Sequence, residues 1–278
     1  GSEMCIRDRC STLYSQCIRM VIEISSDSRI DINHHFRVSA GPGAGKTHWL
    51  SLHVSHVLKD SESLGKMGKV ACLSYTNVGA DTLMGRMYED RSRVLSCTIH
   101  SFLYAYIVKP YLHFIATDEG FNIELLNGED DRILSDYNTF EEIRKAVKQY
   151  YAEQDATFTA IRAAKWKLQE DGSLKCYANP PKKCCKKGYA LNENAYVVYK
   201  KLAWKKGYMH YDDVLYFSYK LIQKYPFISR TLAIQFPYVF IDEFQDTNPI
   251  QAKIIKSLGE NGAIVGVIGC LLYTSDAA

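Results

Sequence analysis

Residues Ala40 to Thr47 read Ala-Gly-Pro-Gly-Ala-Gly-Lys-Thr, and few folds can accommodate that string. Gly41, Gly43 and Gly45 permit backbone angles and close approaches that a Cβ would forbid. The string follows a strand-like run at 36–39 and opens a helix-like stretch at 46–58 with Trp49, Leu50, Val54 and Val57 at apolar positions. A glycine-rich turn feeding a helix presents successive N–H groups, and the positive helix end, to phosphates. In that setting Lys46 reaches the β- and γ-phosphates and the Thr47 hydroxyl ligates Mg²⁺. Ala40, Gly41, Pro42, Gly43, Ala44, Gly45, Lys46 and Thr47 are therefore the candidate residues for binding ATP. Ala40 stands where the strict pattern has glycine.

A second string gives the first its chemistry. Tyr238 to Ile241 is an uninterrupted apolar run, as in a parallel strand buried on both faces. Asp242 and Glu243 follow at its carboxyl end, the edge where open α/β sheets bind ligands. Asp242 is expected to hold Mg²⁺, directly or through water, while Glu243 orients and deprotonates the attacking water. Lys46, Asp242, Glu243 and Gln245 form the expected catalytic set, with Thr47 and Asp242 as the metal ligands.

The two strings resemble motifs I and II of the UvrD/Rep-type superfamily 1 helicases, and three others agree in order. Leu73 to Ala80 (LSYTNVGA) is similar to motif Ia, Thr98 to Phe102 (TIHSF) to motif Ib, and Tyr211 to Leu215 (YDDVL) to the string marking return from an inserted domain. The resemblance implies a RecA-like P-loop fold whose parallel sheet carries helices on both faces, plus a mostly helical, DNA-contacting insertion at 110–207. It also implies a motor that moves along single-stranded DNA and separates duplexes. Tyr75, Thr76, Asn77, His100 and Ser101 match DNA-side positions. Read without the family, Tyr75 is more readily a packed tyrosine at a strand end and His100 a satisfied, partly buried histidine. The segment 25–35 lacks the glutamine with which many members read adenine.

The resemblance also bears on the ends. The strand-like run at 263–268 leads into Gly269, where the family continues with a different string; here Cys270 and LLYTSDAA follow. That tail, like MCIRDR at 4–9, resembles translated adapter read-through. Residues 1–20 are expected to be a non-native or disordered leader and 270–278 a non-native tail, with the reading frame cut inside motif III. The family's second RecA-like domain would then lie downstream, so the chain alone is expected to bind ATP but to be catalytically incomplete. The alternative is a nucleotide-gated DNA-binding module without productive hydrolysis. An unrelated P-loop kinase or transport ATPase would make TIHSF and Gln245 accidents.

Composition bounds these readings. The 278 residues carry 34 Lys and Arg against 31 Asp and Glu, and 47% are hydrophobic, ordinary for a globular chain. No run is long enough to span a bilayer and no signal-peptide core is present, so a cytoplasmic protein is expected. Among nine cysteines, Cys72 and Cys97 read as buried apolar residues. Cys176, Cys184 and Cys185 cluster without a zinc-like spacing, and a structural role is favoured over a metal site.

The modest net charge hides a division. Lysines 175, 182, 183, 186, 187, 200, 201, 205 and 206 crowd into 174–206 beside a single acid, Glu193. With Tyr177, Tyr189, Tyr196, Tyr199 and Trp204 interleaved, this block reads as a DNA-backbone surface or as a solvated lysine face.

Strand-like runs at 36–39, 69–74, 94–97, 238–241 and 263–268 alternate with helix-like stretches at 46–58, 77–88 and 248–258. That alternation predicts a parallel, helix-covered core at 21–109 and 208–269. Residues 110–207 lack strand alternation. Helices are predicted there at 141–151, 156–168 and 192–204, with a break at Asn179-Pro180-Pro181.

Overall fold

The computed structural model describes residues 4–8, 21–41, 43–86 and 91–270. The chain divides into two compact units: residues 1–102 with 224–278, and residues 103–223.

The first unit is built on a seven-stranded sheet. Its strands are β1 (Met4–Asp8), β2 (Val21–Ile24), β3 (Phe36–Ala40), β4 (Val70–Ser74), β5 (Val94–Thr98), β8 (Tyr238–Ile241) and β9 (Ile264–Gly269), in the order β2-β1-β3-β9-β8-β4-β5. The five strands from β3 to β5 are parallel, whereas β1 pairs antiparallel with both β2 and β3. The parallel α/β core is the expected fold. Of the expected leader, residues 4–8 form a paired strand and 9–20 lie outside the described residues. So does 271–278 of the expected tail.

Burial explains the strand assignments. All four residues of β8 are 0% exposed, as the apolar run requires. In β3, Phe36, Val38 and Ala40 pack against Trp49, Leu50, Val54 and Val57 of helix α1 (Lys46–Asp60), with Tyr238, Phe240 and Ile268 completing the cluster. Phe36 lies over its register partner in β9, Gly266, where a Cβ would come within 2.2 Å of the ring. A side chain at 266 would have to displace that ring. Helix Pro249–Glu260 starts with a capping box: Asn248 Oδ1 accepts the Gln251 N–H at 2.9 Å, and Gln251 Oε1 accepts the Asn248 N–H at 3.1 Å.

The second unit is mostly helical, with helices at Tyr137–Ala146, Gln154–Arg162, Glu193–Lys205 and Tyr211–Lys224. The helix expected at 141–151 lies at Tyr137–Ala146, and a second element departs further. The helix predicted over 156–168 ends at Arg162, and β6 (Lys165–Leu168) pairs antiparallel with β7 (Leu174–Tyr177). The cause is Trp166, whose indole N–H donates to the buried Asp213 at 2.9 Å.

Asp213 organises this unit. Fully buried, it also accepts the Trp204 indole N–H at 3.0 Å and the His210 backbone N–H at 3.1 Å, and Lys200 Nζ stands 2.8 Å away. Lys200 also pairs with Asp212 at 2.7 Å. Burial opposes the Lys200 ammonium, but Asp213 and Asp212 outweigh it and hold its pKa above the ordinary lysine value. Burial likewise opposes the Asp213 carboxylate, and Lys200 and then His210 hold its pKa well below the carboxylate range. Residues 208–223 and 103–109, expected in the core, fall in this second unit.

Candidate nucleotide and active site

The phosphate-loop string sits between β3 and α1, as expected. Gly43 and Gly45 have φ of 75° and 83°, left-handed values that glycine adopts without strain. The turn is closed by the Ala44 N–H on Gly41 O at 3.3 Å, and α1 begins with the Trp49 N–H on Gly45 O at 2.9 Å. A Cβ on Gly43 would meet nothing within 4 Å, so the loop is open on that side. Lys46 Nζ folds back to donate to Gly41 O at 3.4 Å. Pro42 lies outside the described residues. The glutamine-less segment flanks the loop: the Trp49 indole N–H donates to Ser28 O at 2.9 Å, and a Cβ added at Gly45 would meet the Ser26 Cβ at 3.2 Å.

Asp242 follows β8, two strands from β3, with its backbone N–H donating to Leu73 O at 2.8 Å. Burial, then the adjoining Glu243 carboxylate, push its pKa above the ordinary value; the Glu243 N–H, donated at 3.0 Å, and Lys46 pull it down. The influence of Lys46 on Asp242 joins the two motifs electrostatically. A part-buried carboxylate whose ionisation is opposed in this way is one a divalent cation would favour.

Glu243 occupies the left-handed region at φ 54°, ψ 45°. A non-glycine residue there costs on the order of 1–3 kcal/mol and points to function. Its Oε2 accepts the Gln245 side-chain N–H at 2.6 Å, while Gln245 Oε1 accepts the Cys270 N–H at 3.0 Å. Gln245 thereby ties the carboxylate to the end of β9. Gly269 makes room for this, since a Cβ there would meet Gln245 Oε1 at 2.5 Å. Sequence reasoning missed this link, because a backbone donor at 270 leaves no residue-type signal. A cavity of about 200 Å³ opens beside Gln245, lined among others by Arg37, Ser39, Phe244 and Thr247.

The expected DNA-side residues lie at the same carboxyl edge, after β4 and β5. Tyr75 is 55% exposed, and Thr76, Asn77 and Ser101 are exposed, but His100 is buried at 5%. Thr76 Oγ1 accepts the Gly79 N–H at 3.1 Å and so starts helix α2 (Asn77–Arg86). Thr98 Oγ1 accepts the Ser101 N–H at 3.1 Å and does the same for the following helix.

The UvrD/REP helicase N-terminal domain matches residues 26–269. The chain belongs to that family. Similar proteins include the ATP-dependent DNA helicase srs2 of Schizosaccharomyces pombe, 24% identical across 88% of this chain and 29% of its own length. A probable DNA helicase II homolog of Mycoplasma capricolum is 24% identical across 86% of the chain and 32% of its own. The Gabija protein GajB of Bacillus cereus is 23% identical across 79% and 37%. The chain thus spans about a third of the length of these relatives.

Among the described residues no group of three or more His, Cys, Asp or Glu is placed so that it could hold a metal. Cys176, Cys184 and Cys185 are free and buried, and burial pushes the Cys176 thiol up to about 12. No helix among the described residues is long and apolar enough to cross a membrane.

Proposed function

We propose that the chain is the ATP-binding motor part of a UvrD-like DNA helicase, coupling ATP hydrolysis to movement along single-stranded DNA and to duplex unwinding. One observation carries this reading: the phosphate loop, the Asp242–Glu243–Gln245 cluster and the Tyr75 and Ser101 turns share one sheet edge of one unit. A nucleotide at the loop and a strand at the turns would then bear on the same rigid element.

Lys46 and the N–H groups of Gly41 and of 43–47 would bind the phosphates, and Thr47 and Asp242 would hold Mg²⁺, which supplies charge neutralisation. Glu243, oriented by Gln245, would take the proton of the attacking water. Tyr75 would stack on a base, with Thr76, Asn77 and Ser101 beside the backbone. His100, being buried, would support this edge rather than touch the strand.

The chain spans only about a third of the length of its relatives, and in the family reading a second core domain brings arginines to the transferring phosphate. Such arginines contribute about 10³–10⁵ in rate in comparable enzymes. The 278 residues alone are expected to bind Mg-ATP yet turn it over near background, with little stimulation by oligo(dT). A steady-state phosphate-release assay checks this. Robust DNA-stimulated turnover would contradict the incompleteness; failure to bind Mg-ATP would contradict the motor reading.

A further inference from the structure

We propose that the loop Lys182–Tyr189 of the second unit, together with Tyr151, is a binding surface for single-stranded nucleic acid. It uses residues outside all five motif strings, and it rests on the DNA-motor reading for its choice of ligand.

The loop is a built feature. The Leu191 N–H donates to Lys182 O and the Cys184 N–H to Tyr189 O, both at 2.9 Å, and Gly188 turns the chain at φ 87°. Cys184 and Cys185, 0% and 7% exposed, are its anchors. Glu153 clamps it from below, donating its N–H to Cys184 O at 2.8 Å and accepting the Lys186 N–H at 3.2 Å. The buried Gln149 completes the support, donating to Ala190 O and Tyr151 Oη at 3.0 Å and accepting the Asn192 N–H at 2.9 Å.

With both cysteines turned inward, Lys182, Lys183, Lys186 and Lys187 are all exposed. Among the described residues none of the four pairs with a carboxylate, whereas Lys200 is buried against Asp212 and Asp213, and Lys206 meets Asp136 at 3.5 Å. Beside them the half-exposed rings of Tyr151 and Tyr189 lie 5.2 Å apart, tilted by 56°. Unpaired cations on an ordered loop suit a chain of phosphates, and exposed rings suit unpaired bases, which offer a π-face whatever the sequence. A duplex hides those faces, and an acidic peptide has none.

The test is binding of fluorescent oligo(dT) to the 278-residue chain across a salt series, with folding of each variant checked by circular dichroism. Replacing all four lysines by glutamine is expected to flatten the slope of log K against log salt by about 3, at about 0.7 per phosphate contact. Replacing all four by arginine should preserve it. Tyr151→Ala with Tyr189→Ala is expected to weaken oligo(dT) at least about tenfold and blunt duplex little. An unchanged slope in the glutamine variant would overturn the proposal, as would polyglutamate competing as well as oligo(dT). Weakening by Tyr75→Ala alone, with both loop variants unaffected, would overturn the loop surface and leave the motor reading standing. If the wild-type chain binds no DNA, both fall.

Discussion

Asp242 carries a cost in the free protein that its proposed ligand would remove. Its folded pKa is raised, chiefly by burial and then by Glu243. For a carboxyl group this means the native state binds the proton more tightly than the unfolded chain. Its ionisation therefore lowers stability as pH rises from the ordinary value through the folded one. Asp242→Asn is expected to raise the melting temperature at pH 7 without Mg²⁺, and Mg-ATP should stabilise wild type but not the variant. His53 works in the opposite direction. It stacks on Trp49 at 5.1 Å, also contacts Phe36 and Phe240, and burial, then His56, lower its pKa to about 3. Its neutral form stabilises the fold above the unfolded value, and that stability is lost as pH falls through 6.5 towards 3, at up to about 1.4 kcal/mol per pH unit. Melting curves over that range should show the loss, and His53→Phe should blunt it.

The elements best read from sequence are those whose local chemistry agrees with their packing. The glycine turn sits between a strand and a helix that bury the same cluster, and β8 was legible because four apolar residues followed by two acids fit little else. The helix predicted over 156–168 failed because Phe158, Ile161 and Leu168 kept helical spacing while Lys165, Trp166 and Lys167 already alternated as a strand. The bond from Trp166 to Asp213 settles that contest, and it spans 47 positions of sequence that no local pattern sees. Lys200 misled for a related reason. It lies one turn from both Tyr196 and Trp204, on the buried face of its helix, yet in composition it counts with the surface lysines. Lys200→Met would leave two buried carboxylates without their cation, and a loss of about 3–5 kcal/mol is expected. Urea unfolding in a Trp49→Phe background, where Trp166 and Trp204 report on the second unit, measures it.

At the scale of the whole chain, the two compact units divide at 102/103 and 223/224, whereas the motif strings suggested 109/110 and 207/208. The YDDVL string reads as the start of the return to the core, whereas Asp212 and Asp213 spend their charges inside the insertion, and the first unit resumes at 224. The lysine block narrowed in the same way. Tyr196, Tyr199, Trp204 and Lys200 are core residues, which leaves exposed lysines on the 182–189 loop and at 175, 201, 205 and 206. The central claim is that the Ala40–Thr47 turn and Asp242 form one Mg-ATP site, and thermal melting with and without Mg-ATP tests it most directly. Ligand at about 100 times its Kd adds about 2.7 kcal/mol, or roughly 5–10 °C for a chain of this size. Wild type should show that rise and Lys46→Ala almost none; an equal rise in both would place the nucleotide elsewhere and contradict the account.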